Sequence, residues 1–164
     1  MTEVIRDVPA PWQPIQGHAV GGLFQVGYAA GSDLLLVLSS QGRGVFDCLT
    51  GVKVARDDDE AHDFFDPIRL TAIGIGPLDG HVVRVVGLFG GGLPLTTCDG
   101  WRMRVQAREW PTQSVYLVAP DSDQEICIGD DGACEWRACG FSETGRSFVI
   151  ATSCGLMIFA RLAV

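Results

Sequence analysis

The sequence predicts a single all-β domain, spanning 1–164, built from antiparallel hairpin units with little helix. Its 164 residues are 47% hydrophobic and 20% charged, which is enough apolar material for a core of its own. Glycine turn motifs recur along the chain, each followed at once by a short apolar or alternating stretch. No window keeps the i, i+3, i+4, i+7 spacing of apolar residues that a long helix needs.

Each predicted turn carries a dipeptide that ends in glycine. Glycine tolerates positive φ, and an aspartate before it can hydrogen-bond the turn backbone, so each dipeptide predicts a hairpin. The seven dipeptides are Gln41-Gly42, Thr50-Gly51, Asp79-Gly80, Asp99-Gly100, Asp131-Gly132, Thr144-Gly145 and Cys154-Gly155. A single short helical turn is expected between Asp58 and Phe65.

An internal comparison indicates repeated units. The segment GYAAGSDLLLVLSSQGRGVFDC, which starts at Gly27, aligns with GFSETGRSFVIATSCGLMIFAR, which starts at Gly140, when one residue is skipped. These units resemble blades of WD-repeat or quinoprotein-type β-propellers. A blade takes roughly 40 to 45 residues, so the chain holds three or four. The resemblance implies a binding scaffold, and the short chain leaves a partial propeller, a compact β-sandwich and closure by self-association as alternatives.

The six cysteines lie mostly within apolar strand patterns, and we expect them to be buried free thiols. Cys127, Cys134 and Cys139 lack the C-x2-C spacing of a zinc site. The first residues are acids and prolines rather than a basic start and an apolar run, and no apolar stretch approaches ~18 residues. The expected location is therefore the cytoplasm, without membrane attachment. The absence of asparagine and the preference for arginine over lysine are typical of a GC-rich bacterial genome.

No catalytic motif is found around the three histidines, His18, His62 and His81. We expect no catalytic residue, no cofactor and no resident metal ion. The strongest competing interpretation is a metal site in the acidic segment around His62, although the segment lacks the order of acids and central glycine that defines an EF-hand.

Acidic residues are concentrated in two segments, 57–66 and 121–135, which hold twelve of the twenty carboxylates in a chain of net charge −8. This balance argues against nucleic-acid binding and favours a field that steers a basic protein partner. The predicted partner-binding residues are Asp57, Asp58, Asp59, Glu60, Asp63, Asp66, Asp121, Asp123, Asp130 and Asp131. A strand with Arg102, Arg104 and Arg108 on one face predicts a mildly basic surface elsewhere.

Three functions are compatible with these observations. The first is a non-catalytic, acidic protein-binding module of the kind represented by immunity proteins and antitoxins that inhibit a basic effector. The second is a small metal-dependent hydrolase that uses the acidic cluster around His62. The third is a structural subunit whose exposed strand edges pair with another copy, as a homo-oligomer, or with another chain.

Overall fold

A computed structural model describes residues 8–107 and 113–162, apart from the side chain of His62. Within these residues the chain is all-β apart from two 3-10 helices, Ala61–Asp63 and Gly76–Leu78, which confirms the predicted fold class. The strands are β1 Gln13–Ala19, β2 Leu23–Tyr28, β3 Leu34–Ser39, β4 Gly42–Asp47, β5 Val52–Arg56, β6 Phe65–Asp66, β7 Thr71–Ile73, β8 Val82–Arg84, β9 Val86–Gly87, β10 Arg102–Ala107, β11 Gln113–Val118, β12 Ile126–Asp130, β13 Trp136–Phe141, β14 Ser147–Thr152 and β15 Gly155–Ala160. Among the described residues, no helix is long and apolar enough to cross a membrane.

The strands form four sheets, and every strand pair in them is antiparallel. The first sheet has the order β5-β4-β3-β2-β9, and the second has the order β6-β7-β8. The third sheet is β10-β11-β12, and the fourth is β1-β15-β14-β13. The N-terminal strand β1 therefore completes a sheet made by the last three strands of the chain.

Turn chemistry follows the glycine pattern closely. Six of the seven predicted turn glycines have positive φ, among them Gly51 at +78° and Gly145 at +72°. Gly155 is the exception; it is the first residue of β15 and lies against the backbone of β1. A Cβ at Gly155 would stand 2.3 Å from the carbonyl oxygen of His18. At this position, therefore, the close approach of another strand explains the glycine.

The first and fourth sheets share a strand pattern at a constant separation of 113 residues. Strands β2, β3 and β4 begin at Leu23, Leu34 and Gly42, and strands β13, β14 and β15 begin at Trp136, Ser147 and Gly155. All six strands contain six residues. The six strands therefore align without a gap, whereas the sequence comparison skipped one residue. The two segments differ in the turn between their first and second strands and not in the strands themselves.

Three hydrophobic clusters stack the four sheets face to face. Leu36 and Leu38 of β3 pack on the second sheet, whereas Leu35 and Val37, which alternate with them, pack on the fourth sheet. The far face of the fourth sheet packs on the third sheet through Phe148, Ile150, Val115 and Leu117. The sheets therefore stack in the order second, first, fourth, third.

Candidate functional site

Strand direction gives the stack two ends, which carry different features. The disulfide end contains the turns 39–42, 130–136 and 152–155, and the Arg137 Nε donates to the Leu23 carbonyl there. The cavity end contains the turns 28–34 and 141–147 and the loop 119–125, and Arg161 joins Asp99 to the Gly145 carbonyl there. Each predicted acidic residue can be placed relative to these ends.

Asp57 and Asp59 lie at the disulfide end and are engaged by one buried arginine. The Nε of Arg43 donates to Asp57 Oδ2 at 3.0 Å, and its NH2 group lies 3.0 Å from Asp59 Oδ2. Burial desolvates Asp57 and opposes its ionisation, but the hydrogen bonds and charge of Arg43 prevail and lower its pKa. These two acids hold the end of β5 against β4, and their oxygens are partly occupied by the guanidinium.

Asp58, Glu60 and Asp63 are exposed, whereas Asp66 organises a turn. Asp66 Oδ1 accepts hydrogen bonds from the backbone N–H groups of Ile68 at 3.0 Å and Arg69 at 3.1 Å. The bonds from Arg69 and then Ile68 lower the pKa of Asp66. The expected helical turn of this segment is the 3-10 helix Ala61–Asp63.

The second acidic segment divides between the two ends. Asp131, at the disulfide end, is 3% exposed, and its Oδ2 accepts the Gln113 N–H at 3.1 Å. Burial raises the pKa of Asp131, and its Oδ1 has no hydrogen-bond partner within the described part of the chain. Asp130 Oδ1 accepts the Gly132 N–H at 2.9 Å. Asp131 therefore supports the local packing and does not face solvent as a partner-binding residue would.

Asp121 and Asp123 lie at the cavity end, in the exposed loop between β11 and β12. Their neighbour Glu125 pairs with Arg104, and the Arg102 NH2 group donates to the Ser122 carbonyl at 2.6 Å. Two members of the predicted arginine row, Arg102 and Arg104, therefore contact this loop. Arg108 lies outside the described residues. The ten predicted acids do not converge on a single surface.

A cavity of about 640 Å³ opens at the cavity end. Its walls include Tyr28 and Phe141, which occupy equivalent positions in the first and fourth sheets, 113 residues apart. Ala30 and Glu143 are a second equivalent pair in the wall. The cavity therefore lies between the two related sheets, beside the ends of β2 and β13.

A polar network joins Tyr28, which lines this cavity, to Ser147, Asp33 and Thr144. Ser147 Oγ donates to Asp33 Oδ1 at 2.6 Å, so the Tyr28 hydroxyl, 3.0 Å away, must donate to Ser147. Thr144 Oγ1 donates to Asp33 Oδ2 at 2.8 Å. Burial raises the pKa of Tyr28 well above its ordinary value, which keeps the hydroxyl protonated as a donor. The network ties the 28–34 turn to the 141–147 turn and orients the Tyr28 ring.

The remaining wall of the cavity is formed by β8 and by the linker that runs from β8 to β10. It pairs with β2 through Val86 and then passes β13, where the Phe141 N–H donates to the Pro94 carbonyl at 2.8 Å. The close approach requires glycine at Gly27 and at its equivalent Gly140. A Cβ would lie 1.9 Å from the Arg84 carbonyl oxygen at the first position and 2.4 Å from the Leu93 Cβ at the second.

The cysteines differ from the expectation of six buried free thiols, which is wrong for Cys134, Cys154 and Cys98, while Cys127 is a free thiol that is only partly buried. Cys134 and Cys154 form a disulfide with a Cα–Cα distance of 5.9 Å, and Cys98 is exposed. The pairing joins two neighbouring turns of the disulfide end, a proximity that cysteine spacing does not reveal. Cys139 is a buried free thiol as expected, and burial raises its pKa to about 12.

The described histidines have structural contacts. The His18 Nε2 lies 2.6 Å from the Gly51 carbonyl oxygen, and the ring packs on Phe46. His81 is an exposed residue just before β8, and the His62 side chain lies outside the described atoms. Within residues 8–107 and 113–162, no group of three or more His, Cys, Asp or Glu converges as a metal site would.

Comparison with known proteins adds no assignment. No family model, curated protein or solved structure matches the chain. Any functional interpretation therefore rests on the chemistry of the two ends.

Sequence reasoning missed the cavity, although part of its wall was within reach. The internal alignment already placed Tyr28 opposite Phe141, because each aromatic residue directly follows an aligned glycine. Arg84 in β8 and Leu93 in the linker lie outside that alignment, and no local pattern indicates that this part of the chain returns to both sheets.

Proposed function

We propose that this chain is a non-catalytic, acidic protein-binding module that engages a basic protein partner, as immunity proteins and antitoxins engage a basic effector. The observation that supports the proposal is the exposure of Asp58, Asp121 and Asp123. These carboxylates form no hydrogen bond or ion pair with any described residue. The fold therefore does not use them, and their charge is available to a partner.

The distribution of paired acids refines the binding surface. Asp57 and Asp59 share Arg43, Asp131 is buried, and Glu125 pairs with Arg104. Their contribution to a long-range field is reduced by these partners or by burial. In this proposal Asp121 and Asp123 form one attractive site at the cavity end, and Asp58 forms another at the disulfide end. Each acts over about 8 Å at physiological ionic strength.

The stacking of the sheets supports a propeller-like scaffold for such a module. The face of β3 that carries Leu35 packs on the fourth sheet, and the equivalent face of β14, with Phe148, packs on the third sheet. The equivalent face of each sheet thus packs on the next sheet of the stack, as the faces of successive propeller blades do. We propose that the four sheets correspond to degenerate blades, the fourth completed by β1.

The test compares the full-length protein with two charge variants as bait. Proteins captured from the native host by the wild-type chain at low salt would be identified, purified and measured by stopped-flow association. In Asp121→Asn/Asp123→Asn and in Asp58→Asn, we expect the association rate to fall several-fold at low salt and to converge with wild type at high salt. Asp66→Asn is the matched control, because its carboxylate is committed to a turn.

Two outcomes would contradict the proposal. One is a partner whose association rate is unchanged in both charge variants and insensitive to salt. The other is a chain that associates only with itself, as shown by light scattering after chromatography, which would favour the structural-subunit alternative.

A cytoplasmic location remains a prediction. The Cys134–Cys154 bond is of a kind that oxidising compartments favour, so the redox state of these two residues in native material tests it.

A further inference from the structure

The cavity between the first and fourth sheets has the size and composition of a ligand site. Pockets of 300–1,000 Å³ with mostly apolar walls and a few polar groups hold small organic molecules, and this cavity of about 640 Å³ lies within that range. Its apolar wall is formed by Val82, Val86, Leu93, Pro94 and Phe141. None of the acidic residues in the proposed protein-binding surfaces lines it.

Two opposite charges accompany this apolar wall. Val82, Val83 and Arg84 of β8 all line the cavity; Val83 is buried and packs in the core, whereas Val82 and Arg84 are exposed. Glu143 lines the cavity from the 141–147 turn, where its Oε1 accepts the Gly31 N–H at 2.9 Å. This hydrogen bond holds the carboxylate in place. Within the described part of the chain, neither Arg84 nor Glu143 forms an ion pair with another side chain.

We propose that the cavity binds a small zwitterion with an apolar body, the chemistry of a free apolar amino acid or an apolar dipeptide. The Arg84 guanidinium binds the ligand carboxylate, and Glu143 binds its ammonium group. The apolar body packs against Phe141 and the linker. An arginine–carboxylate contact is charge-assisted and is frequently bidentate, which gives the ligand its orientation.

The site is prepared before a ligand enters. The Tyr28 hydroxyl is committed to Ser147, so the Tyr28 ring is a fixed wall and not a movable polar group. The linker is anchored on both sides, at Val86 by β2 and at Pro94 by β13. Gly90, Gly91 and Gly92 lie between these anchors, and a Cβ at Gly92 would meet no atom within 4 Å. The Tyr28 ring, the two ends of the linker and the Glu143 carboxylate therefore have set positions, which lowers the ordering cost of binding.

The experiment is calorimetric titration of the full-length protein with leucine, phenylalanine and the dipeptide Phe-Leu. We expect saturable one-to-one binding of at least one of them below about 10 mM. The N-acetyl and the C-terminal amide forms of the same compound each lack one charge, and each should bind about tenfold more weakly. Equal binding of the parent compound and both blocked forms would overturn the zwitterion assignment.

Two variants test whether Arg84 binds the ligand carboxylate and Glu143 its ammonium group. Arg84→Gln should weaken the parent compound about tenfold and leave the C-terminal amide unaffected, since the amide has no carboxylate to lose. Glu143→Gln, whose side-chain oxygen can still accept the Gly31 N–H, should weaken the parent and leave the N-acetyl form unaffected. Arg56→Gln and Glu135→Gln, at the disulfide end, are the charge-matched controls and should bind as wild type.

A third variant tests the cavity itself. Ala30→Trp adds a large side chain at an exposed wall position and should abolish binding while the thermal unfolding midpoint stays close to that of wild type. Binding that survives this change, or parent binding that is unchanged in both Arg84→Gln and Glu143→Gln, would place the ligand elsewhere and overturn the proposal. The absence of binding by all three probes at 10 mM would overturn it too, without bearing on the acidic surfaces.

Discussion

The first and fourth sheets use the same three-strand pattern but are completed in different ways. In the first sheet the outer strand β5 follows β4 after a short turn, whereas in the fourth sheet β1 comes from the other end of the chain and pairs with β15. The glycine that begins each third strand faces this outer chain: Gly42 lies against Asp57, and Gly155 lies against His18. The same three-strand pattern can therefore pair with a strand that is adjacent in sequence or with one that is remote, provided that the outer chain lies close to the glycine at the start of the third strand.

The difference predicts where stability is concentrated. The fourth sheet depends on remote contacts outside its strand pairing, namely the hydrophobic cluster that contains Trp12, Trp101 and Phe148, the Cys134–Cys154 disulfide and the Arg161–Asp99 pair. The outer strands themselves contribute less, because β1 and β5 are both largely exposed, with Val52 54% and Val54 43% exposed in β5. Variants in the remote contacts should therefore cost more than variants in β5.

Trp12→Ala should have the largest effect. The indole is 2% exposed, and its ring centroid lies 4.9 Å from that of Phe148 and 5.8 Å from that of Trp101. Loss of this side chain leaves a cavity where the N-terminal segment meets the third and fourth sheets, and we expect a decrease of about 4 kcal/mol in the free energy of unfolding. Urea denaturation measures it, with Val54→Ala as the control at about 0.5 kcal/mol. Equal effects of the two variants would contradict the proposed asymmetry.

Removal of the disulfide should rank second. Cys134 and Cys154 are 20 residues apart, and opening a loop of this size is expected to cost about 3 kcal/mol through greater freedom of the unfolded chain. Cys154→Ser and wild type under reducing conditions should therefore unfold alike, while Cys98→Ser behaves as oxidised wild type. A thiol assay on denatured, unreduced protein should find four free cysteines. A count of six would show that the cross-link is absent.

Gly27→Ala in β2 and Gly140→Ala in β13 test whether these two equivalent strands contact the chain between β8 and β10 in the same way. The new methyl group would meet the Arg84 carbonyl, at the end of β8 where the linker begins, in the first variant and Leu93 of the linker in the second, so each variant should lose about 2 kcal/mol. Gly92→Ala is the matched control in the same linker, since its Cβ would meet no atom. If only one of the two variants were destabilised, the linker would contact only one sheet tightly, and the cavity would lack its second anchored wall.

Asp99→Asn should have the smallest effect and should depend on pH. The two hydrogen bonds from Arg161, each 2.8 Å, hold the pKa of Asp99 well below its usual range. A carboxyl group with a depressed folded pKa contributes stability above the unfolded value of about 4, and this contribution is lost as the pH falls further.

Because Asp99 is partly exposed, we expect only about 1 kcal/mol at pH 7. The wild-type chain should lose more stability than Asp99→Asn between pH 5 and about pH 2. Urea denaturation across that range measures the difference, and Asp58→Asn serves as the control because it carries no such pair. If the free energy of unfolding of wild type and Asp99→Asn decreased equally as the pH falls, the Arg161–Asp99 pair would not stabilise the fourth sheet.

Much of the fold can be predicted because its determinants are local. The turn at Thr50-Gly51 depends on one residue that tolerates positive φ, and the unbroken apolar run from Leu34 to Leu38 indicates that β3 is buried on both faces. The buried state of Asp131 could not be predicted in this way. Its sequence neighbours are acidic and turn-like, and its burial arises from the approach of Gln113, which is remote in sequence.

By itself, the sequence determined the strands, the glycine turns and the relation between the segments at Gly27 and Gly140, since these follow from backbone preferences over a few residues. Only the tertiary structure decided that β1 completes the fourth sheet, that Cys134 meets Cys154, and that Arg84 and Glu143 line one cavity. Each of these contacts joins residues far apart in the chain. Their proximity depends on how four sheets stack, which is a balance of packing over the whole core that no short segment encodes.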